Sequence, residues 1–419
     1  MNPLYDENIG SAKDNMSCAI HNWYKFTAGF SYKLVDLLVS GADKRPMCVY
    51  EPFAGCGTTL VECQKLGIHS IGNESQQVMC DVINAKLNWD IEQQLVAHYF
   101  EQILDYFQRH LMDDLSEEYN ELLVSLYDTK SLKEIYLLRN AIREVEEEKY
   151  RLFFNQVLAQ VLHKASIHPI AVPYIARSKV QKDPGNVLVK FESVISRMQT
   201  DLDGLLEHDR LAMVYRHDSR LKNAAIADGC CDMCITSPPY LNNLDYGEVS
   251  KVVSHFFDYT NSWHDVTEKV RKQLVTGATT HYKDCEFSLE SFLGGGFAIH
   301  NENVLKAILP LYHSIEQNGR NRRGKKSFHI LMMHYFEDMY HVLQEMRRVL
   351  SPNSPAYLIL GDSAPYGVYV PTTQLLGEIA MSVGFNEYSI YKIRNRGEKW
   401  TSLTYRHNLK LSENILVLK

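Results

Sequence analysis

The chain is 419 residues long, 45% apolar and 23% charged, with a net charge of −7. That suits one large soluble domain with insertions, or two domains sharing a core, and no run approaches the roughly 20 apolar residues of a membrane span. The negative balance argues against attraction of the whole surface to a polyanion, so any nucleic-acid contact falls to local basic patches.

The first residues, Met1-Asn2-Pro3-Leu4-Tyr5-Asp6, lack the basic-then-apolar order of a secretory signal. Nine cysteines without framework spacing fit a reducing cytoplasm. An amphipathic helix is expected at 34–40. Residues 46–50 lead into a first strand, which runs through Tyr50-Glu51-Pro52-Phe53-Ala54-Gly55-Cys56-Gly57-Thr58-Thr59 into a glycine-rich turn and a helix at 58–66. Gly67 stops that helix, where a positive φ is wanted. A second strand at 68–72 is followed by Asn73-Glu74-Ser75 and a helix at 77–87, the start of a doubly wound α/β fold.

From about 89 to 207 the rhythm changes to helical periodicity, with Ile103, Tyr106, Phe107 and His110 on one face. Within it, His168-Pro169-Ile170-Ala171-Val172-Pro173-Tyr174 cannot be regular helix because of its two prolines. Strands return at 213–215 and 233–235. The second of these ends in Thr236-Ser237-Pro238-Pro239-Tyr240 and contains Cys234, so the lone Cys231/Cys234 pair reads as strand and not as a metal or redox site. Residues 263–327 look irregular, with Gly294-Gly295-Gly296 and the basic run Arg320-Asn321-Arg322-Arg323-Gly324-Lys325-Lys326. A helix at 328–348, a strand at 356–360, a helix at 373–383 and strands at 387–393 and 413–418 complete the chain. The expected architecture is a Rossmann-like core (1–89, 208–262 and 328–419), a helical insertion (90–207) and a loop-rich basic insertion (263–327).

Gly55 and Gly57 let the backbone approach a ligand, and the helix start behind them offers unpaired N–H groups. A carboxylate at the end of the next strand, Glu74, can accept both hydroxyls of a ribose; a tight turn with an exposed Glu74 is the plainer account. Asp218, in His217-Asp218-Ser219, can accept from an adenine amine or simply cap a helix. At Ser237-Pro238-Pro239-Tyr240 the prolines stiffen a loop that offers the Ser237 hydroxyl, the Pro238 carbonyl and one aromatic ring. Two fixed acceptors can draw an exocyclic amine toward tetrahedral geometry, and Tyr240 can stack on a base taken out of the helix. A proline turn with a surface tyrosine would explain that loop alone, but not its pairing with the glycine loop.

Together these residues resemble the DNA amino-methyltransferases of the TSPPY type, which use S-adenosylmethionine (SAM) and modify cytosine N4 or adenine N6. The resemblance covers the core and says little about the insertions. It implies a mostly parallel twisted sheet with an antiparallel final strand. It implies cofactor contacts from Lys25, Phe26, Glu51, Pro52, Phe53, Ala54, Gly55, Gly57, Thr58, Thr59, Glu74, Ser75, Asp218 and Ser219, with no metal. Ser237, Pro238, Pro239 and Tyr240 would be catalytic, and Asn242, Asp245 and Tyr246 would line the target pocket. Arg320, Arg322, Arg323 and Lys325 are candidates for phosphate contact, and the basic stretch from Lys392, Arg394 and Arg396 to Lys410 is another. Glu51 and Cys56 depart from the commoner Asp and Ser. Ser237, where Asp is the alternative, is associated in this family with cytosine N4. The implied partners are double-stranded DNA and a cognate restriction endonuclease or other defence component, in the cytoplasm. Adenine N6, an RNA amine, and a non-catalytic binding protein are the competing readings.

Overall fold

The computed structural model describes residues 9–26, 28–168, 170–171, 174–175, 182–205, 210–282, 286–320, 326–396 and 409–419. Its centre is a seven-stranded sheet. We number the strands β1 (Cys48–Glu51), β2 (His69–Glu74), β3 (Ala212–Arg216), β4 (Met233–Thr236), β5 (Ala356–Gly361), β6 (Tyr388–Arg396) and β7 (Leu411–Leu418). Their spatial order is β3-β2-β1-β4-β5-β7-β6. The pairings among β1 to β5 are parallel, and β7 runs antiparallel to both β5 and β6, as the family resemblance implied. Parallel strands need crossovers that cover both faces, so they read as apolar runs: every residue of β4 is buried. The order reverses between β1 and β4, and ligands of such sheets bind beyond the carboxyl ends of the strands at that point.

Helices α1 (Tyr32–Ser40), α2 (Thr58–Lys65) and α3 (Gln77–Leu87) flank the first strands. Helix α1 forms where Ser31 caps the Lys33 N–H, and it buries Leu34, Val35, Leu38 and Val39 along one face. The helical insertion supplies α4 (Gln93–Arg109), α5 (Thr129–Arg143), α6 (Glu148–Ala165) and α7 (Val187–Leu202). Helix α4 buries Val96, Tyr99, Ile103 and Phe107, a spacing that keeps them on one stripe. That stripe joins Leu60, Val82 and Ile83 of α2 and α3 in one apolar cluster, so the insertion shares the core of the sheet. At the proline-bearing stretch, Ile170–Ala171 pairs antiparallel with Tyr174–Ile175.

Residues 263–327 are not loop throughout, which corrects the expectation. A 19-residue helix, α8 (Glu302–Arg320), carries Pro310 inside it. Its buried face, Val304, Ile308, Tyr312 and Ile315, packs into one cluster with α9 (Phe328–Val349). Burying four such side chains at roughly 1.5–3 kcal/mol each outweighs the ~3 kcal/mol cost of an interior proline. Helix α10 (Thr372–Ser382) precedes β6. Among the described residues no helix is long and apolar enough to cross a membrane.

Candidate active site

The loop after β1 is held by groups close to it in sequence. Gly55 and Gly57 have φ of 54° and 85°, and Gly57 is the N-cap of α2. A Cβ on Gly57 would lie 3.1 Å from Ile83, and one on Gly55 would lie 3.3 Å from the Phe26 ring. Glu51, the last residue of β1, accepts the Phe53 N–H at 3.1 Å and the Thr59 hydroxyl at 2.7 Å. Glu74, the last residue of β2, accepts the N–H groups of Gly55 and Gln76, each at 2.9 Å. The acid at the end of β2 is thus a strut for the glycine turn as well as a candidate ligand. Behind the loop, the buried Lys86 ammonium donates to the Cys56 carbonyl at 3.0 Å.

Burial dominates the electrostatics here. It raises Glu74 to about 7 and Glu51 to about 8, against hydrogen bonds that favour the ionised forms. Two carboxyls that are easily protonated when alone suit a site whose partner is cationic or rich in hydroxyls.

The loop after β4 stands on more distant supports. Ser237 donates its hydroxyl proton to the Ile359 carbonyl at 3.0 Å, which leaves its lone pairs to accept from anything else in the cleft. Pro238 and Pro239 are buried. Tyr240 donates to Glu413 Oε1 at 3.1 Å, and Arg394 Nε lies 2.6 Å from Glu413 Oε2. The Arg396 guanidinium lies over the Tyr240 ring, 4.8 Å from its centroid.

Both loops open into one cleft of about 800 Å³, counting the part open to solvent. Of the residues singled out in the sequence, its walls include Phe26, Glu51, Pro52, Phe53, Ala54, Gly55, Thr58, Glu74, Ser75, Asp218, Ser219, Ser237, Pro239 and Tyr246. Gly57, Thr59, Pro238 and Tyr240 stand behind this lining as supports or neighbours. Lys25 is exposed and does not line the cleft. Ser219 donates to the Pro52 carbonyl, tying the loop after β3 to that after β1. Asp218 is engaged by Arg220, whose Nε and Nη2 donate to it at 3.0 and 2.6 Å.

The residues after Tyr240 divide. Tyr246 faces the cleft, and burial pushes its phenol up to about 12. Asn242 is exposed, at φ 56°. Asp245 caps the short helix Tyr246–Val249, pairs with Arg271 at 2.7 Å and accepts the Thr280 hydroxyl at 2.7 Å. These partners hold it well below the usual carboxylate range, so here it is a buried tie and not a pocket wall. Arg320 is exposed and pairs with Glu316 one turn back; Arg322, Arg323 and Lys325 lie outside the described residues.

The structure adds wall residues the sequence did not suggest: Asn73, Gln76 and Met79 beside Glu74, and Gln273, Leu274 and Val275 from the second insertion. The last three are brought there by Asp338 of α9, which accepts from the Thr276 N–H and hydroxyl at 2.8 and 2.7 Å. Arg220 joins the same knot through Asp338 and the Lys272 carbonyl. No local pattern marks residues 273–275, because only a contact with α9 puts them there. Among the described residues no cluster of His, Cys, Asp or Glu could hold a metal.

Compared with known proteins, the chain is similar over most of its length to Type II methyltransferases. M.BsoBI of Geobacillus stearothermophilus is 23% identical, across 94% of this chain and 84% of the relative. M.AvaI of Anabaena variabilis is 22% identical, across 90% and 81%, and M.MvaI of Kocuria varians 21%, across 88% and 84%. No family model matches the chain, and no solved structure does. Similarity along nearly the whole chain, carried on this α/β fold, supports a site-specific DNA methyltransferase.

Proposed function

We propose that this protein transfers a methyl group from SAM to the exocyclic amine of a base flipped out of double-stranded DNA, with cytosine N4 as the position modified. The observation that carries the reading is that Ser237 and Pro239 line the same cleft as Glu51, Gly55 and Glu74. The cleft fits the cofactor by its chemistry: a helix N-terminus for a carboxylate, a buried acid at the end of β2 for ribose hydroxyls, and apolar walls from Phe26, Phe53 and Met79. When bound, SAM supplies a methyl group activated on a cationic sulfur.

The protein's part is to hold the amine. Ser237, with its proton committed to Ile359, accepts one amine N–H, and the Pro238 carbonyl accepts the other. That draws the nitrogen lone pair out of ring conjugation and aims it at the methyl group, without a covalent enzyme intermediate. Tyr240 replaces the stacking the base loses on leaving the duplex, worth ~1–3 kcal/mol. A serine at position 237 favours cytosine over adenine through its association in the resembling family. A restriction endonuclease or other defence component is the partner this reading implies.

The test is mass spectrometry of nucleosides from mixed-sequence duplex DNA incubated with the protein and methyl-labelled SAM. Labelled N4-methylcytosine is the expected product. Labelled N6-methyladenine would keep the reaction and overturn the base; no labelled nucleoside would overturn the reading.

A further inference from the structure

The Tyr240 ring already carries a cover. The Arg396 guanidinium, a flat cation at the end of β6, sits 4.8 Å from the ring centroid. It reaches down to the end of β5, where a Cβ on Gly361 would lie 2.9 Å from Arg396 Cδ and closer still to its Nη1. Its charge is also felt by Tyr246, which faces the cofactor side of the cleft. The guanidinium therefore lies against the Tyr240 ring and the bare backbone of Gly361. Among the described residues no carboxylate pairs with Arg396, whereas Arg394, two positions back on the same strand, is held by Glu413. A planar cation stacked on an aromatic ring and free of an ion pair is a contact that can be exchanged for another planar group.

We propose that Arg396 occupies the base-stacking position on Tyr240 in the DNA-free protein and is displaced by the target base. This rests on the base-flipping reading above. The contact keeps a buried aromatic surface covered until a base arrives, and the base must compete with it to enter.

The test begins with the wild-type full-length enzyme, whose methylated sites in mixed-sequence DNA define a duplex substrate. If the wild type methylates no base, the functional reading fails and this proposal falls with it. If it does, anisotropy without SAM compares binding of the intact duplex with one lacking the target base. Arg396→Gln is expected to bind the intact duplex roughly two- to thirtyfold more tightly than wild type, the range of one cation–π contact. It should bind the abasic duplex as wild type does, because nothing then competes with the arginine. In turnover, KM for DNA should fall while KM for SAM stays unchanged. Arg396→Lys, which keeps the charge without the plane, should lie between the two. Weaker binding of both duplexes by Arg396→Gln, restored by Arg396→Lys, would mean a phosphate contact and overturn the proposal. So would equal affinities for all three proteins.

Discussion

The glycine loop after β1 and the Ser-Pro-Pro-Tyr loop after β4 leave neighbouring strands at the same edge of the sheet, yet they are held by different means. The first is braced from nearby: Glu51 by Thr59, Gly55 by Glu74, Gly57 against Ile83. The second is braced from far away, Ser237 by a carbonyl 122 positions downstream and Tyr240 by a carboxylate 173 positions downstream. Asp245, just beyond it, is tied to the second insertion through Arg271. The difference teaches that the glycine turn is braced largely within one β-α-β unit, with a distant tie from Ser219 to Pro52. The Ser-Pro-Pro-Tyr loop rests on contacts with β5 and β7, and the residue just beyond it on the second insertion.

Breaking the long-range side should show first in stability. Asp245 and Arg271 have side chains only 9% and 7% exposed, so Asp245→Ala strands a buried cation and should cost about 3–5 kcal/mol in urea unfolding. The double variant Asp245→Ala/Arg271→Met should recover a good part of that loss; no recovery would mean the pair is not the tie described. Ser237→Ala tests the same side chemically. It removes one acceptor, so kcat should fall by about 10²-fold or more, while unfolding free energy drops by only about 1 kcal/mol for the lost bond to Ile359.

On the local side, Gly57→Ala should destabilise by about 1–3 kcal/mol, from a positive φ and contact with Ile83. A neutral result would show that the turn relaxes more readily than its packing suggests. The smallest effect is a pH dependence. Glu74 and Glu51 are raised from 4.5 to about 7 and about 8, so the folded chain favours their protonated forms. Their contribution to ligand-free stability is complete below pH 4.5 and is lost as pH rises through those values. A cationic ligand with hydroxyl donors prefers the ionised carboxyls, so SAM affinity by calorimetry should rise about tenfold between pH 6 and 8.5 as Glu74 ionises, and further as Glu51 does. Glu74→Gln should flatten the step near 7 and keep the one near 8; an unchanged profile would remove Glu74 from the site.

The central strands were legible in the sequence because they are buried on both faces and read as short apolar runs ended by polar or glycine-bearing turns. The cofactor loop was legible for a related reason. Its glycines, its acid and its helix start lie within one supersecondary unit, so short-range geometry dictates their arrangement. Helix α8 was not, because Pro310 masks a periodic face that only packing on α9 makes worth forming.

The resemblance implied Asp245 as a pocket residue, but a carboxylate goes where a buried arginine is, and Arg271 comes from another segment. Residues 273–275 reach the cleft through ties to Asp338 and Arg220, and Arg396 reaches Tyr240 because β7 carries β6 to the sheet. The sequence by itself determined the alternation of strands and helices at the start of the core, the glycine turn and the stiffness of the proline loop, since these follow from local sterics and periodicity; the antiparallel end of the sheet was implied by the family resemblance. What faces Tyr240, what closes the cleft and which carboxylates stay buried were decided by tertiary structure, because each is a pairing between groups that the chain keeps far apart.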